Sequence, residues 1–200
     1  MTASPVPPER DIELGTAALR VLAHPLRLRV LALLRERGPA TATRIAEALG
    51  INPGAASYHL RRLAAGGLIV EEPDRGTGRE RWWKAAHRQS VHDPATATAK
   101  QRETGRAYTR TVAMAAADRL RRAAQEVALL PEEWLEATAC TDFLLHLNPG
   151  DTARMRDEIS AVVARYRDDA GEAAEGTSPV ILQVQAFLLP GTVLPPEAGT

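Results

Sequence analysis

Five residues within one short stretch have the types and spacing that suit contact with a polyanion. They lie three or four positions apart, which places them on one face of a helix. They are Gly54, Ser57, Tyr58, Arg61 and Arg62. Hydroxyl groups exchange hydrogen bonds with base edges or phosphates, guanidinium groups neutralise phosphates, and a glycine lets the backbone approach closely. This face predicts a helix that lies in the major groove of DNA.

The helix that carries these residues has recognisable ends. Asn52 is a good N-cap, and Pro53 fits the first helical position because the N–H that it lacks has no partner there. Gly66 and Gly67 stop the helix. Its apolar side recurs at i, i+4 and i+7 and consists of Ala56, Leu60 and Leu63. The sequence thus predicts a recognition helix over residues 53–65.

A second short helix precedes the recognition helix. Thr41 is positioned to cap it, and Gly50 suits the left-handed residue that ends it. Its apolar face consists of Ile45, Ala46 and Leu49. Two short helices joined by a tight turn form a helix-turn-helix, so Thr41 and Asn52 join the predicted DNA-binding residues. The alternative is a helical hairpin whose basic face is only solvated.

A β-hairpin is predicted directly after the recognition helix. Residues 68–70 have strand character, the segment PDRGTG is typical of a turn, and residues 79–84 return as a second strand. A flexible glycine-rich tip with arginines can enter a minor groove or contact phosphates. The predicted contacts of this wing, residues 68–85, are Arg75, Gly76, Arg79 and Arg81. The alternative is an exposed hairpin of mixed charge.

Residues 15–86 resemble the ArsR-like winged helix-turn-helix regulators of bacteria. The resemblance is carried by HPLRLRVL at 24–31, S-x-H-L at 57–60, GLI at 67–69 and the glycine-rich basic tip. It implies that Gly54, Ser57 and Tyr58 face bases and that the wing straddles the flanking groove. Metal sensors of that family carry a cysteine pair in the helix before the recognition helix. This chain has no cysteine there, so the resemblance implies no thiolate metal site.

Other chemically active residues are interpreted as structural. His24 precedes a proline at a helix start, and we interpret it as a boundary residue. His87, His92 and Asp93 lack the regular spacing of a metal site, so no metal and no cofactor are expected. Cys140, the single cysteine, is expected to be a small buried hydrophobe. With no phosphate loop, paired metal ligands or nucleophile elbow, the sequence argues against an enzyme.

Charge is divided unevenly along a chain of zero net charge. Residues 17–88 hold 13 Lys and Arg against 6 Asp and Glu, whereas residues 89–200 hold 11 against 16. The basic part coincides with the helix-turn-helix, which favours double-stranded DNA as its partner. No apolar run is long enough to span a membrane, so we expect a cytoplasmic protein without membrane contact. Residues 1–10 are expected to form a mobile tail.

Further helices are predicted on both sides of the helix-turn-helix. Residues 11–22 and 25–37 have helical spacing, which completes a DNA-binding domain over residues 11–88. Residues 95–130 continue a helical apolar stripe that this small domain can hardly cover, so residues 89–130 are predicted to mediate homodimerisation. The predicted dimer contacts are Leu14, Tyr108, Val112, Leu120 and Val127.

Residues 131–200 are predicted to form a small C-terminal domain. Strand character at 140–147 and 178–190 flanks a helix at 152–168, which predicts a β-α-β unit. Its apolar residues suit packing, with a ligand pocket as the alternative. The fold class is therefore α+β and mainly α.

The predicted function is a dimeric, sequence-specific DNA-binding transcriptional regulator, and a repressor is favoured over an activator. The alternative is a winged-helix module for protein interaction or assembly. The sequence leaves open whether a small-molecule effector binds.

Overall fold

The computed structural model describes residues 11–73, 75, 80–92, 98–168 and 176–192. The predicted tail 1–10, Gly76, Arg79 and Asp93 lie outside the described residues. The described chain divides into two units, one within residues 7–131 and the other within residues 132–200.

The first unit is built mainly from helices. Its helices are α1 (Thr16–Leu22), α2 (Pro25–Arg37), α3 (Ala42–Leu49), α4 (Pro53–Ala65) and α5 (Ala99–Glu126). Helix α2 has the predicted bounds: Pro25 occupies its first position, and Gly38 ends it with a φ of 79° that favours glycine. The predicted helix-turn-helix is confirmed, because α3 and α4 follow each other across a three-residue turn.

Five short strands form two small sheets in this unit. The strands are β1 (Asp11–Glu13), β2 (Ala40–Thr41), β3 (Ile69–Glu71), β4 (Trp82–Ala85) and β5 (Gln89–Val91). Strand β4 lies between β2 and β3 and is antiparallel to both, with Val70 opposite Lys84. The hairpin of β3 and β4 is the predicted wing, displaced by one to three residues at the strand ends.

The prediction of one helix over residues 11–22 is wrong. Residues 11–13 form β1, which pairs in parallel with β5, and the helix begins at Thr16 after the extended Gly15. The alternation of polar and apolar side chains from Asp11 to Glu13 suits a strand. Its partner lies far along the chain, so local periodicity gave no sign of the pairing.

One hydrophobic core holds the helices of the first unit together. Its largest fully buried side chains are Leu19, Leu22, Val30, Leu31, Ile45, Leu60, Leu63, Leu68 and Ile69. The inner face of the recognition helix thus packs against α2, α3 and β3. Trp83 of the wing points into this core and Trp82 lies half-buried on the other face, as expected for successive strand residues.

The turn between α3 and α4 fixes how the recognition helix is presented. Gly50 adopts the left-handed conformation with φ 64°, as predicted, and the Ile51 N–H donates to the Ala46 carbonyl at 3.0 Å. Asn52 caps α4 by accepting from the Ala55 N–H at 2.8 Å. Backbone groups at this corner are therefore satisfied, which makes the angle between the two helices well defined.

Helix α5 begins at a capping box that the sequence interpretation missed. The Thr98 hydroxyl accepts from the Gln101 N–H, and the Gln101 side chain accepts from the Thr98 N–H. The helix packs against α1 and α2. The Arg119 guanidinium lies 2.8 Å from the Glu36 carboxylate. Helix α5 ends at Glu126 and a 3-10 turn follows over Val127–Leu129, within a turn of the predicted end.

The second unit contains two helices, α6 (Glu132–Ala137) and α7 (Pro149–Asp168). Asn148 caps α7 by accepting from the Asp151 N–H at 2.9 Å, so the helix begins at Pro149, three residues before the predicted start. The predicted β-α-β unit is wrong for a single chain, since neither residues 140–147 nor the described part of 178–190 belongs to a sheet. Strand composition alone does not supply the pairing that a strand requires. Cys140 is exposed and not buried, because no described element covers its segment.

None of the described helices is both long and apolar enough to cross a membrane.

Candidate nucleic-acid interface

Helix α4 divides cleanly into a buried and an exposed side. Ala56, His59, Leu60 and Leu63 are buried, and the remaining residues lie at least partly in solvent. Gly54, Tyr58, Arg61 and Arg62 are exposed and Ser57 is half-buried, so all five predicted contacts lie on the outward side. Tyr58 keeps 52% of its surface exposed. The helix therefore offers a mixed hydroxyl and guanidinium face to a partner.

A shallow groove of about 340 Å³ lies between the recognition helix, the start of α3 and the wing strand β4. Four of the predicted DNA-binding residues line it: Thr41, Ser57, Arg61 and Arg81. Thr41 itself is buried, and its hydroxyl caps α3 by accepting from the Arg44 N–H at 3.4 Å. Thr41 thus orients the helix start, while the other three residues present polar groups to the groove.

The wing carries its cations in pairs with carboxylates. The Arg81 guanidinium lies 3.7 Å from Glu71, and Glu72 is 3.2 Å from Lys84 and 3.6 Å from Arg75. These exposed pairs contribute little to stability and can be exchanged for other anions. The guanidinium groups of Arg75 and Arg81 therefore remain accessible to phosphate.

Trp82 connects the wing to the helix-turn-helix. The guanidinium of Arg44 on α3 lies 4.7 Å from the centre of its ring, and that of Arg75 lies 5.1 Å away. Both distances suit cation–π attraction. Arg44 was missed in the sequence interpretation, although its position in the first turn of α3 could have indicated it. Trp82 therefore brings one cation of α3 and one of the wing to the same ring.

A cluster of His24, Arg27 and His59 lies at the inner side of the recognition helix. The two imidazole rings are 4.9 Å apart, and His59 contacts the Tyr58 ring edge to face at 5.3 Å. Burial lowers the pKa of both histidines, and the positive charge of Arg27 lowers each further. The position of His24 at the N-cap of α2 agrees with the boundary role expected for it.

These histidines predict how stability depends on pH. The unfolded chain binds more protons below the ordinary histidine pKa of 6.5, because both folded-state pKa values lie lower. We therefore expect the melting temperature to fall as the pH drops below about 6.5. The effect should shrink in His59→Gln and persist in the control His146→Gln, whose imidazole is exposed. Thermal denaturation between about pH 7.5 and 5.5 measures it, and an unchanged slope in His59→Gln would contradict it.

The predicted dimer contacts fall into two groups. Leu14 is only 4% exposed, and Tyr108 packs against the same core, where burial raises the pKa of its hydroxyl. Both side chains thus serve the core of a single chain. Val112 is half-buried, whereas Leu120 on α5 and Val127 in the 3-10 turn after it are exposed. The latter two remain accessible to a second molecule.

The histidines considered as metal ligands have other contacts. The His87 carbonyl accepts from Arg35 Nε at 3.0 Å. His92 packs against Gly105, where any side chain larger than hydrogen would approach its ring to 2.5 Å, and against the Tyr108 ring. Within the described residues, no three His, Cys, Asp or Glu side chains gather in a metal-binding arrangement.

The helix-turn-helix, its presented helix and the adjoining hairpin define a winged helix-turn-helix domain. Residues 22–72 match a family model described as a helix-turn-helix domain. The predicted resemblance to winged helix-turn-helix regulators is thereby confirmed for this domain. The chain therefore contains a helix-turn-helix domain with an adjoining wing.

Solved structures similar to this chain include three from mycobacteria, two of which are of the same fragment of one protein. A crystallised fragment of a possible transcriptional regulatory protein from Mycobacterium bovis is 26% identical over 50% of this chain and 85% of its own, with a TM-score of 0.31. A homodimeric winged helix-turn-helix domain from M. bovis, solved by NMR and described as a possible ArsR-family regulator, is 27% identical over 51% and 79%, with a TM-score of 0.32. The RV1404 protein of Mycobacterium tuberculosis is 21% identical over 56% and 71%, with a TM-score of 0.29. No curated protein matches the sequence significantly.

Proposed function

We propose that this protein is a sequence-specific repressor that binds DNA as a homodimer through recognition helix 53–65 and wing 68–85. The observation that carries the proposal is the groove shared by the recognition helix and the wing. Ser57 and Arg61 from the helix and Arg81 from the wing border one open, polar space. A duplex docked against this surface would have hydroxyl groups near its base edges and guanidinium groups near its phosphates.

The groove is lined by the carboxylate of Glu80 as well as by Arg61 and Arg81. Further arginines of the helix-turn-helix and the wing add the positive charge that favours a polyanion. Arg62 is exposed on α4, and Arg44 and Arg75 lie at Trp82 beside the wing. Burial lowers the pKa of Arg27, and the positive charge of the nearby Arg62 lowers that pKa further. The two guanidinium groups therefore lie close enough to repel each other. Placing a phosphate near such a pair relieves their repulsion.

Helix α5 supports the dimeric part of the proposal. From Leu120 to Leu130 every residue is exposed, although Leu120 and, in the turn after the helix, Val127 continue the apolar stripe that Ala116 begins inside the domain. An apolar helical stripe left uncovered by its own domain suits pairing with the same stripe of a second copy. A twofold dimer would present two recognition helices to successive major grooves. Such a dimer would repress by occupying promoter DNA, and this requires no further surface for contact with another protein.

A binding assay at two salt concentrations tests the proposal against a protein-interaction module. We expect the protein to bind the DNA upstream of its own gene more tightly than a scrambled duplex. The affinity should fall by about 10³–10⁵-fold between 50 and 200 mM salt if 6–10 phosphates are contacted. Footprinting should reveal two half-sites about one helical turn apart. Equal, salt-independent affinity for both duplexes would support the interaction module instead.

Removing the wing cations should weaken binding without changing sequence preference. In Arg75→Ala/Arg81→Ala, affinity for operator and scrambled duplexes should fall by a similar factor, and the slope of log K against log salt should become shallower by about 2. The control Arg156→Ala removes an exposed arginine of the second unit, paired with Asp157. Unchanged affinity of the double variant for both duplexes would exclude the wing from the interface. Arg79 and Gly76 remain part of the proposed wing contacts.

A further inference from the structure

The second unit lacks a core of its own. Among its described residues, 132–168 and 176–192, no side chain is fully buried. On α7 the apolar residues Met155, Ile159 and Val163 are only half-buried, and Tyr166 remains 75% exposed. A unit of this size needs apolar burial to offset the conformational entropy lost on folding. Its core must therefore be completed by something outside the unit.

The missing surface is concentrated in two apolar segments, residues 140–147 and 179–189. Their exposed large side chains are Phe143, Leu144, Leu145 and Leu147 in the first segment and Val180, Ile181, Leu182, Val184, Phe187, Leu188 and Leu189 in the second. Consecutive residues are exposed in both segments, apart from the half-buried Gln183, so side chains on both faces of each segment are accessible. Both segments have strand composition, yet neither belongs to a sheet among the described residues. Each is therefore suited to receive a neighbouring strand.

We propose that these two segments pair with those of a second copy of this chain, so that two C-terminal units share one core. Residues 179–189 contain no charged side chain, and residues 140–147 contain only Asp142 and the titratable His146. A partner must be equally apolar and uncharged, which the same segments of another copy provide. A twofold axis brings identical surfaces together, so no second type of surface is required.

The area available agrees with a stable dimer. Burying a large aliphatic or aromatic side chain removes on the order of 60–100 Å² of apolar surface, so the exposed side chains would remove roughly 700–1,000 Å² per copy. A standard protein interface buries about 800 Å² per partner. Pairing of the two units would also place two α7 helices, one from each copy, against one shared sheet. The apolar faces of the helices and of the sheet would then cover each other.

The chain connection favours a second copy over an unrelated partner. Only five residues separate the end of α5 at Glu126 from the start of α6 at Glu132. Pairing through α5 therefore keeps the two C-terminal units at high effective concentration. The gain in effective concentration rests on the dimer proposed above. The missing core, the apolar composition and the available area are independent of that dimer.

Hydrogen exchange of the full-length protein, followed by mass spectrometry over a range of protein concentrations, tests the proposal. We expect amides of residues 140–147 and 179–189 to become protected as concentration rises, reaching about 100-fold slower exchange when the free copy is at 100 times the dissociation constant. Protection that is independent of concentration would mean that one chain covers its own segments, and absent protection would mean that no second copy covers them. Either result overturns the proposal.

A matched pair of variants localises the effect. Leu182→Lys changes an exposed side chain and should reduce protection of both segments by at least about 10-fold at a fixed concentration. Ala161→Lys places the same charge on α7 outside the apolar stripe and should leave protection unchanged. Equal protection in Leu182→Lys and the unmodified protein would overturn the proposal. Operator binding is a separate measurement, so failure of DNA recognition and failure of this pairing are distinguishable.

Discussion

Leu120→Glu is expected to weaken the dimer by at least about 100-fold and to abolish operator binding at nanomolar protein concentrations. A twofold interface would bury two glutamates, one from each copy, without a compensating cation, and each buried unpaired charge costs several kcal/mol. The monomer keeps a single half-site contact and loses the factor of about 10²–10⁴ that linkage of two half-sites contributes. Analytical ultracentrifugation and a gel shift measure the two losses.

The control for this variant lies on the same helix. Met114 is exposed on α5 outside the apolar stripe, so Met114→Glu introduces the same charge away from the proposed seam. Leu120 is 49% exposed in a single chain, and its replacement should leave the melting temperature of the first unit nearly unchanged. A Leu120→Glu protein that dissociates like the unmodified protein would show that α5 is not the dimer seam.

Local signals in the sequence were sufficient for the DNA-binding domain. Thr41, Gly50 and Asn52 mark helix ends through side-chain caps and a left-handed residue, all of which act within a few positions. Pro25 likewise marks the start of α2. Because the helix ends and the apolar stripe of α4 are encoded locally, the outward face of the recognition helix could be predicted residue by residue.

Contacts between distant parts of the chain could not be predicted in the same way. Strand β1 depends on β5, and the Trp82 ring gathers Arg44 from α3 and Arg75 from the wing. Leu14 shows the same limitation: its apolar character was clear, but only packing decides between the core and a dimer seam.

The C-terminal unit shows that composition and pairing are separate properties. Residues 140–147 and 179–189 have the composition of strands, and the single chain offers no partner for them within the described residues. A sequence pattern reports what a segment can bury, whereas the partner that buries it is set by the assembly. The exposed apolar side chains of these two segments are the observation on which the proposed intermolecular core rests.

Within the recognition helix, Tyr58 and Ser57 are expected to read sequence, whereas Arg61 and Arg62 are expected to contact the backbone. Ser57→Ala and Tyr58→Ala should each lose about 1–3 kcal/mol on the operator and little on a scrambled duplex. Arg61→Ala and Arg62→Ala should weaken binding to both duplexes. The geometry supports this division, because the first pair lies in the N-terminal half of α4, where such helices approach base edges.

Affinity for both duplexes, measured beside the melting temperature, separates recognition from folding. Tyr58 contacts the His59 ring, so Tyr58→Phe retains that contact and removes only the hydroxyl group. If the hydroxyl reads a base, Tyr58→Phe should lose as much operator preference as Tyr58→Ala at an unchanged melting temperature. Arg110→Ala, an exposed arginine of α5, controls for the loss of one positive charge. Should Ser57→Ala and Tyr58→Ala both keep the operator preference, sequence would have to be read by the wing or through DNA shape, because the recognition helix has no other exposed hydroxyl group.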